Sequence, residues 1–258
     1  MKTHGRVTVI ASMCIAVFGC GILVASEMGD RIESSAKKSY VFMTYLKADD
    51  IKFDIRGDTE VVLTGTVSEW SHRALAEEAV AGLPGVKYVD NKLEIRAGHP
   101  LENSDEWIAL KIKTMLMFHN NVSGIKTNVD VKDGVVTLHG PASSEAQKEL
   151  TAEYARDVEG VKGVDNRMTV EKPGKTPIER AQGFIDDASI TAQVKLALLF
   201  HRSTNAIDTW VRTKDGTVTV KGIAKNAAEK DLVGRLVKDI RGVKRVENEM
   251  TVERGVKK

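Results

Sequence analysis

Residues 214–222 read KDGTVTVKG, and residues 132–140 read KDGVVTLHG. In each, Asp-Gly is followed by alternating apolar and polar residues and a closing glycine, the pattern of a tight hairpin turn and its return strand. A third copy, TEVVLTG at 59–65, lacks the Asp-Gly but ends on the same glycine. Twenty residues beyond Gly65, Gly140 and Gly222 stand Gly85, Gly160 and Gly242, each followed by a valine. Six residues further stand Asn91, Asn166 and Asn248. Three matched offsets make the chain an internal triplicate, and a repeat has to be recognised before other features are weighed.

The rest of the unit follows by reading outward from the phrase. Before it, Ile125, Thr127, Val129 and Val131 alternate, as do Ile207, Thr209, Val211 and Thr213, which predicts the first arm of the hairpin. Earlier still, Ser104 or Asp105, and Asp187 or Ser189, can cap a helix. Ile108, Ile112, Met115 and Leu116, and likewise Ile190, Val194, Ala197 and Leu198, would form one buried stripe. After the phrase, a second helix is expected over 144–158 and 226–240, burying Ala146, Leu150, Tyr154 and Val158, or Ala228, Leu232, Leu236 and Ile240. Gly-Val ends it, and a last strand buries Val164, Met168 and Val170, or Val246, Met250 and Val252. The unit is αββαβ and the fold class α+β: three small mixed sheets, each with two helices on one face.

The copies occupy 27–98, 99–171 and 187–258. The first is the divergent one. Gly57-Asp58 replaces Asp-Gly, and Ile51, Phe53 and Ile55 are displaced by one residue, as a longer turn requires. Its first helix, within 31–47, shows no clean stripe. The short join around Ala97–Pro100 predicts that repeats one and two pack together, whereas 172–186, with Pro173, Gly174 and Pro177, reads as a semi-stiff spacer.

The chain starts MKTHGR, basic and without an acid, and continues with an uncharged run from Val7 to Ser26. Residues 1–26 therefore read as a secretory signal, with small residues at Val24-Ala25-Ser26 for cleavage. The run is also long enough for an uncleaved anchor, and Cys20 is placed for lipidation. All three readings lead across the inner membrane to the periplasm. The two cysteines, Cys14 and Cys20, both lie in this segment, which leaves no disulfide framework or cysteine-based zinc site beyond it.

The hairpin phrase with its closing glycine, the Gly-Val after helix two and the Val-x-Asn or Val-Asp-Asn before the last strand resemble the BON domain, named for bacterial osmotically induced and nodulation proteins. Repeat three, with DASITAQVKLALL, KDGTVTVKG and GVKRVENEMTV, carries the resemblance most fully, and repeat two nearly as fully. The resemblance implies an exported protein tied to envelope integrity and osmotic stress. Some members of the family are thought to bind anionic phospholipid through a first-helix surface. No catalytic motif comes with this fold.

The residues themselves supply little chemistry. His119 and His201 hold equivalent positions, but no accompanying ligands converge on either, and a polar helix end beside the negative helix pole accounts for both. Asn91, Asn166 and Asn248, one per repeat on the apolar side of a strand, call for backbone partners rather than a ligand. Gly65, Gly85, Gly140, Gly160, Gly222 and Gly242 serve turns and helix ends. No phosphate-cradling glycine loop occurs, and neither a catalytic group, a metal site nor a cofactor is expected.

Charge is the informative asymmetry. Residues 27–98 carry 10 basic and 13 acidic side chains, 99–171 carry 8 and 12, and 172–258 carry 18 and 11. A formal total of +2 conceals a basic last third, which would be drawn to anionic surfaces. Export separates it from nucleic acid, so an anionic phospholipid membrane is the expected partner, with Lys195, Leu198, Leu199, Phe200 and Arg202 on the third repeat's first helix as contact residues. The alternative is a periplasmic scaffold for an envelope protein, without lipid. The oligomeric state is left open.

Overall fold

The hairpin forms in every repeat of the computed structural model, which describes residues 20–57, 59–96, 100–101, 104–171, 184–204 and 209–253, with backbone alone over 20–27. Most of the 1–26 segment, the spacer from 172 and the chain end from 254 lie outside the described residues.

Repeat one contains α1 (Cys20–Lys38), α2 (Tyr40–Thr44), β1 (Asp50–Arg56), β2 (Glu60–Val67), α3 (Trp70–Ala81), β3 (Tyr88–Asn91) and β4 (Glu94–Ile95). Repeat two contains α4 (Asp105–Phe118), β5 (Asn128–Lys132), β6 (Val135–His139), β7 (Pro141–Ala142), α5 (Glu145–Arg156), β8 (Gly163–Asn166) and β9 (Thr169–Val170). Repeat three contains α6 (Asp187–Phe200), β10 (Thr209–Lys214), β11 (Thr217–Ala224), α7 (Ala227–Lys238), β12 (Arg245–Asn248) and β13 (Thr251–Val252). In each sheet the middle strand pairs antiparallel with the hairpin arm and parallel with the last strand.

The turns obey the sequence. Asp133-Gly134 and Asp215-Gly216 form two-residue loops with positive φ throughout (54° and 80°, 54° and 79°), the geometry that matches strand twist. An acid at each helix start grips the turn: Asp105 accepts from the N–H groups of Asp133 (2.7 Å) and Gly134 (2.8 Å), and Asp187 does the same for Asp215 and Gly216. Asp187 is thus a clamp, and the cap of α6 is Asp186, which accepts from Ser189 N. In repeat one the register closes with Arg56 opposite Glu60, a loop one residue longer. The closing glycine is required by close approach, since a Cβ on Gly140 would lie 2.2 Å from the Lys126 carbonyl oxygen.

The asparagines are structural. Asn166 Nδ2 donates to Lys148 O (2.7 Å) on helix two, while its Oδ1 accepts from Met168 N (3.2 Å) across the break between β8 and β9. Asn248 repeats this with Lys230 and Met250, and Asn91 with Arg73 and Leu93. One amide thereby stitches helix to strand and bridges the two halves of the last strand.

Four features differ from the sequence reading. The buried residues are Thr151, Ala152, Tyr154 and Ala155 in α5 and Glu229, Val233, Leu236 and Val237 in α7, with Val158 and Ile240 buried just beyond them, while Ala146 and Ala228 are exposed. A strict four-residue spacing precesses around a 3.6-residue helix, so its first member drifts off the core face. Val170 and Val252 are exposed because β9 and β13 are two-residue ends. Ile125 lies in a 3-10 turn before β5 and is exposed. Repeat one's opening helix divides at Ser39, the buried cap of α2.

The repeats also do not separate into a pair and a tethered third. One apolar core runs through all three, and α6 is at its centre, with Ala188, Ile190, Ala192, Val194, Leu196, Ala197, Leu198 and Phe200 all buried. A helix apolar on every side has to be covered on every side.

Candidate functional site

The two histidines meet the opposite repeat. His119, closing α4, pairs antiparallel with Ile240 beyond α7, and His201, closing α6, pairs with Val158 beyond α5. Asn120 N donates to Asp239 O and Arg202 N to Asp157 O, both at 3.0 Å. Each partner lies 82 positions from its counterpart, so repeats two and three face each other across an approximate twofold relation. Each histidine does follow the end of its helix, as expected, but it is buried in a seam between repeats: His119 Nδ1 lies 3.1 Å from Asp239 Oδ2, and His201 Nε2 lies 3.5 Å from Asp157 Oδ2. Sequence spacing revealed that the histidines were equivalent, but nothing local to either named a partner about 120 or 44 residues away.

The two ends of the seam are dressed differently. Asp239 also accepts from the Tyr154 hydroxyl and the Asn121 amide, and the Tyr154 ring stacks on His119 at 3.9 Å. Burial, and then the bond to Asp239, hold the Tyr154 phenol far above its ordinary 10.0. At the other end the His201 contact, with Arg202 and Arg156 beyond it, holds the Asp157 carboxyl below its usual 3.8 against the opposing effect of burial. Arg202 donates there to the carbonyls of Arg156, Val158 and Val161.

The residues expected to touch a membrane do not form an exposed patch. Leu198 and Phe200 are buried, Phe200 against Trp70 at 5.6 Å. Lys195 is ion-paired with Glu78 of repeat one at 2.6 Å, and Arg202 is held by repeat two. Leu199 alone of the apolar set is open, at 46 % exposure. A membrane reaching α6 would have to part the repeats. The cue was in the sequence: between residues 188 and 200 the only charge is Lys195.

One cluster has the composition of a hydrolase site without its geometry. Asp49 Oδ2 (2.6 Å) and Ser68 Oγ (2.9 Å) both approach the same His72 nitrogen, Nδ1, whereas a relay needs opposite nitrogens. Asp49 also accepts from Ser68 N at 2.8 Å, so the group ties the segment before β1 to the start of α3.

What remains open is the sheet face away from the helices, and here the repeats diverge. In repeat one, Lys52, Arg56 and Lys92 pair with Asp50, Asp54 and Asp90. In repeat two, Arg167 pairs with Asp165 and His139 lies 4.0 Å from Asp130. In repeat three the outward row of β10 is Trp210, Arg212 and Lys214, and β11 adds Lys221 and Ile223. Lys221 pairs with Glu249 at 3.0 Å and lies 5.6 Å over the Trp210 ring, and Arg245 is 3.9 Å from Glu247. Arg212 and Lys214 make no ion pair among the described residues. Trp210 is 50 % and Ile223 60 % exposed.

Fold and repeat geometry define a tandem αββαβ protein. The BON domain model matches residues 29–97, 104–172 and 186–254, and the chain belongs to the BON-domain family. The osmotically-inducible protein Y of Escherichia coli (strain K12) is 28 % identical over 190 residues, covering 74 % of this chain and 92 % of that one. The uncharacterized protein in gshII 5'region of Anaplasma centrale is 31 % identical over 142 residues, covering 55 % and 90 %. Among solved structures, the C-terminal domain of CdsD, the structural protein of the type III secretion system of Chlamydia trachomatis, aligns over 86 % of this chain and 96 % of that one at 15 % identity, with a TM-score of 0.24 too low to carry an argument. Among the described residues no helix is long and apolar enough to cross a membrane, and no cluster of His, Cys, Asp or Glu could hold a metal.

Proposed function

We propose that this is an exported, non-enzymatic envelope protein that binds anionic phospholipid surfaces and supports tolerance of osmotic stress. The observation carrying the reading is where the basic surplus goes. Residues 172–258 hold 18 basic against 11 acidic side chains, and with α6 covered by its neighbours the exposed cations among the described residues of repeat three include Arg212, Lys214, Lys221, Arg235, Lys238 and Arg245. Such a field attracts anionic surfaces at a range set by the Debye length. The basic start and uncharged run of residues 1–26 support export, and similarity to an osmotically-inducible protein supports the stress role.

Co-sedimentation of the protein, purified from cells making the full chain, with vesicles containing phosphatidylglycerol or only phosphatidylcholine tests this. Binding confined to the anionic vesicles and weakened by salt is the expected result. A retained leader would insert into both kinds alike, and salt-insensitive binding to both would leave repeat three without a lipid role. Absence of binding to either would favour the scaffold reading.

A further inference from the structure

We infer that the contact face for the anionic bilayer is the open side of the third sheet, with Trp210 and Ile223 entering the interface and Arg212, Lys214 and Lys221 resting on the headgroups. The inference rests on the proposed function and names the site within it. Three observations point here.

First, the face is the outward side of β10 and β11. Alternation along β10 buries Val211 and Thr213 and leaves Trp210, Arg212 and Lys214 in one row, with Lys221, Thr219 and Thr217 opposite them. Among the described residues Trp210, Arg212 and Lys214 are all exposed along this row, so an outside surface can reach them.

Second, its composition fits an interface and differs from its counterparts. The positions of Trp210, Arg212 and Lys221 are Asn128, Asp130 and His139 in repeat two. Asn and Asp there would repel a lipid surface or gain nothing from it, whereas Trp and Arg are the residues that settle at headgroup depth. The other two tryptophans, Trp70 and Trp107, pack on each other at 4.9 Å between repeats one and two, so Trp210 is the half-exposed exception.

Third, charges and apolar groups are sorted along the face. Trp210 and Ile223 are exposed toward one end of the hairpin, at the start of β10 and the end of β11. Arg212 and Lys214, which make no ion pair among the described residues, continue toward the turn. Lys221, 5.6 Å from the Trp210 ring, joins the two zones. A bilayer offers the same two layers, apolar below and anionic above, and basic residues at such a surface are drawn to its headgroups.

The experiment uses the full chain with phosphatidylglycerol vesicles carrying brominated acyl chains. On the expected outcome, bound protein loses part of its tryptophan emission to the bromine quencher, and Trp210→Phe removes that loss. The double change Arg212→Glu with Lys214→Glu lowers affinity by about tenfold or more, while Lys132→Glu at the matching place in repeat two leaves it unchanged. Both altered strands are solvent-facing there, and thermal melts check that the variants remain folded. Binding of the wild-type chain without quenching, or undiminished binding by the folded double variant, would overturn the sheet-face assignment and leave the proposed function standing. If the wild-type chain shows no preference for anionic vesicles, both fall.

Discussion

Repeat three meets repeats two and one through the same helix, α6, by different means. Against repeat two the contact is reciprocal: each copy's histidine reaches the other's aspartate, and each copy's backbone closes an antiparallel bridge. Against repeat one it is a helix laid on a helix. Gly82 stands where repeats two and three have Asp157 and Asp239, and a Cβ there would come within 3.1 Å of Ala188 Cα. Around this close approach Lys195 pairs with Glu78, and Asp186 caps α6 while also accepting from Tyr40 N at 2.7 Å. Ser189 Oγ accepts from Val41 N at 3.0 Å. A duplicated unit makes a symmetric seam where both copies keep the helix-end residues. Where one copy loses them, a glycine permits another geometry.

The largest effect is expected at the better-dressed end of the seam. Asp239→Ala removes the acceptor shared by His119, Tyr154 and the exposed Asn121 and leaves the buried His119 and Tyr154 without this partner, at a cost of about 2–4 kcal/mol. Asp157→Ala should cost less than about 1 kcal/mol, because nearly half of its side chain is in solvent. Equal losses for the two in urea titrations would mean that the seam is symmetric in energy as well as in shape.

Next in size is Gly82→Val. Its φ of −77° suits any residue, so the strain is one of space alone. Overpacking against the Ala188 backbone is expected to cost about 1–3 kcal/mol and to loosen repeat one first, seen as earlier proteolysis within it. Wild-type stability in this variant would show that α3 and α6 slide apart freely, and the contact with repeat one would then be the looser of the two.

The fold of one unit was almost wholly legible, because it depends on local signals: Asp-Gly for a two-residue turn, alternation for strands, and an asparagine recurring at one offset. What was not legible depends on packing between units. The run from Ala188 to Phe200 looked amphipathic when tested against a four-residue stripe, yet its other faces are Ala192, Leu196 and Ser189, small or apolar and equally buried. His201 and Arg202 carried no local sign of their partners for the same reason. The basic content of repeat three could be counted in advance, but assigning it to β10 and β11 required knowing that α6 was covered. A composition argument finds the charge; only the packing says which face is left to display it.

The smallest effects separate the two ends of the seam by pH. Asp157 is held below 3.8 in the folded chain by His201, so the unfolded chain takes up a proton there first as the pH falls. Its contribution is therefore complete above about pH 4–5 and is lost on descending through the folded value; at this exposure it amounts to a few tenths of a kcal/mol. Tyr154 behaves in the opposite sense. Its phenol is held above 10.0 by burial and by Asp239, so its contribution is complete below pH 10 and is lost as the pH rises beyond that. Tyr45, also raised by burial, adds to the same alkaline decline. Stability measured against pH for the wild type, Asp157→Asn and Tyr154→Phe should thus show the first variant flattening only the acid limb and the second part of the alkaline limb. If Asp157→Asn altered the alkaline limb instead, the two ends of the seam would be coupled through the helices between them, and the local difference in their dressing would no longer account for their difference in strength.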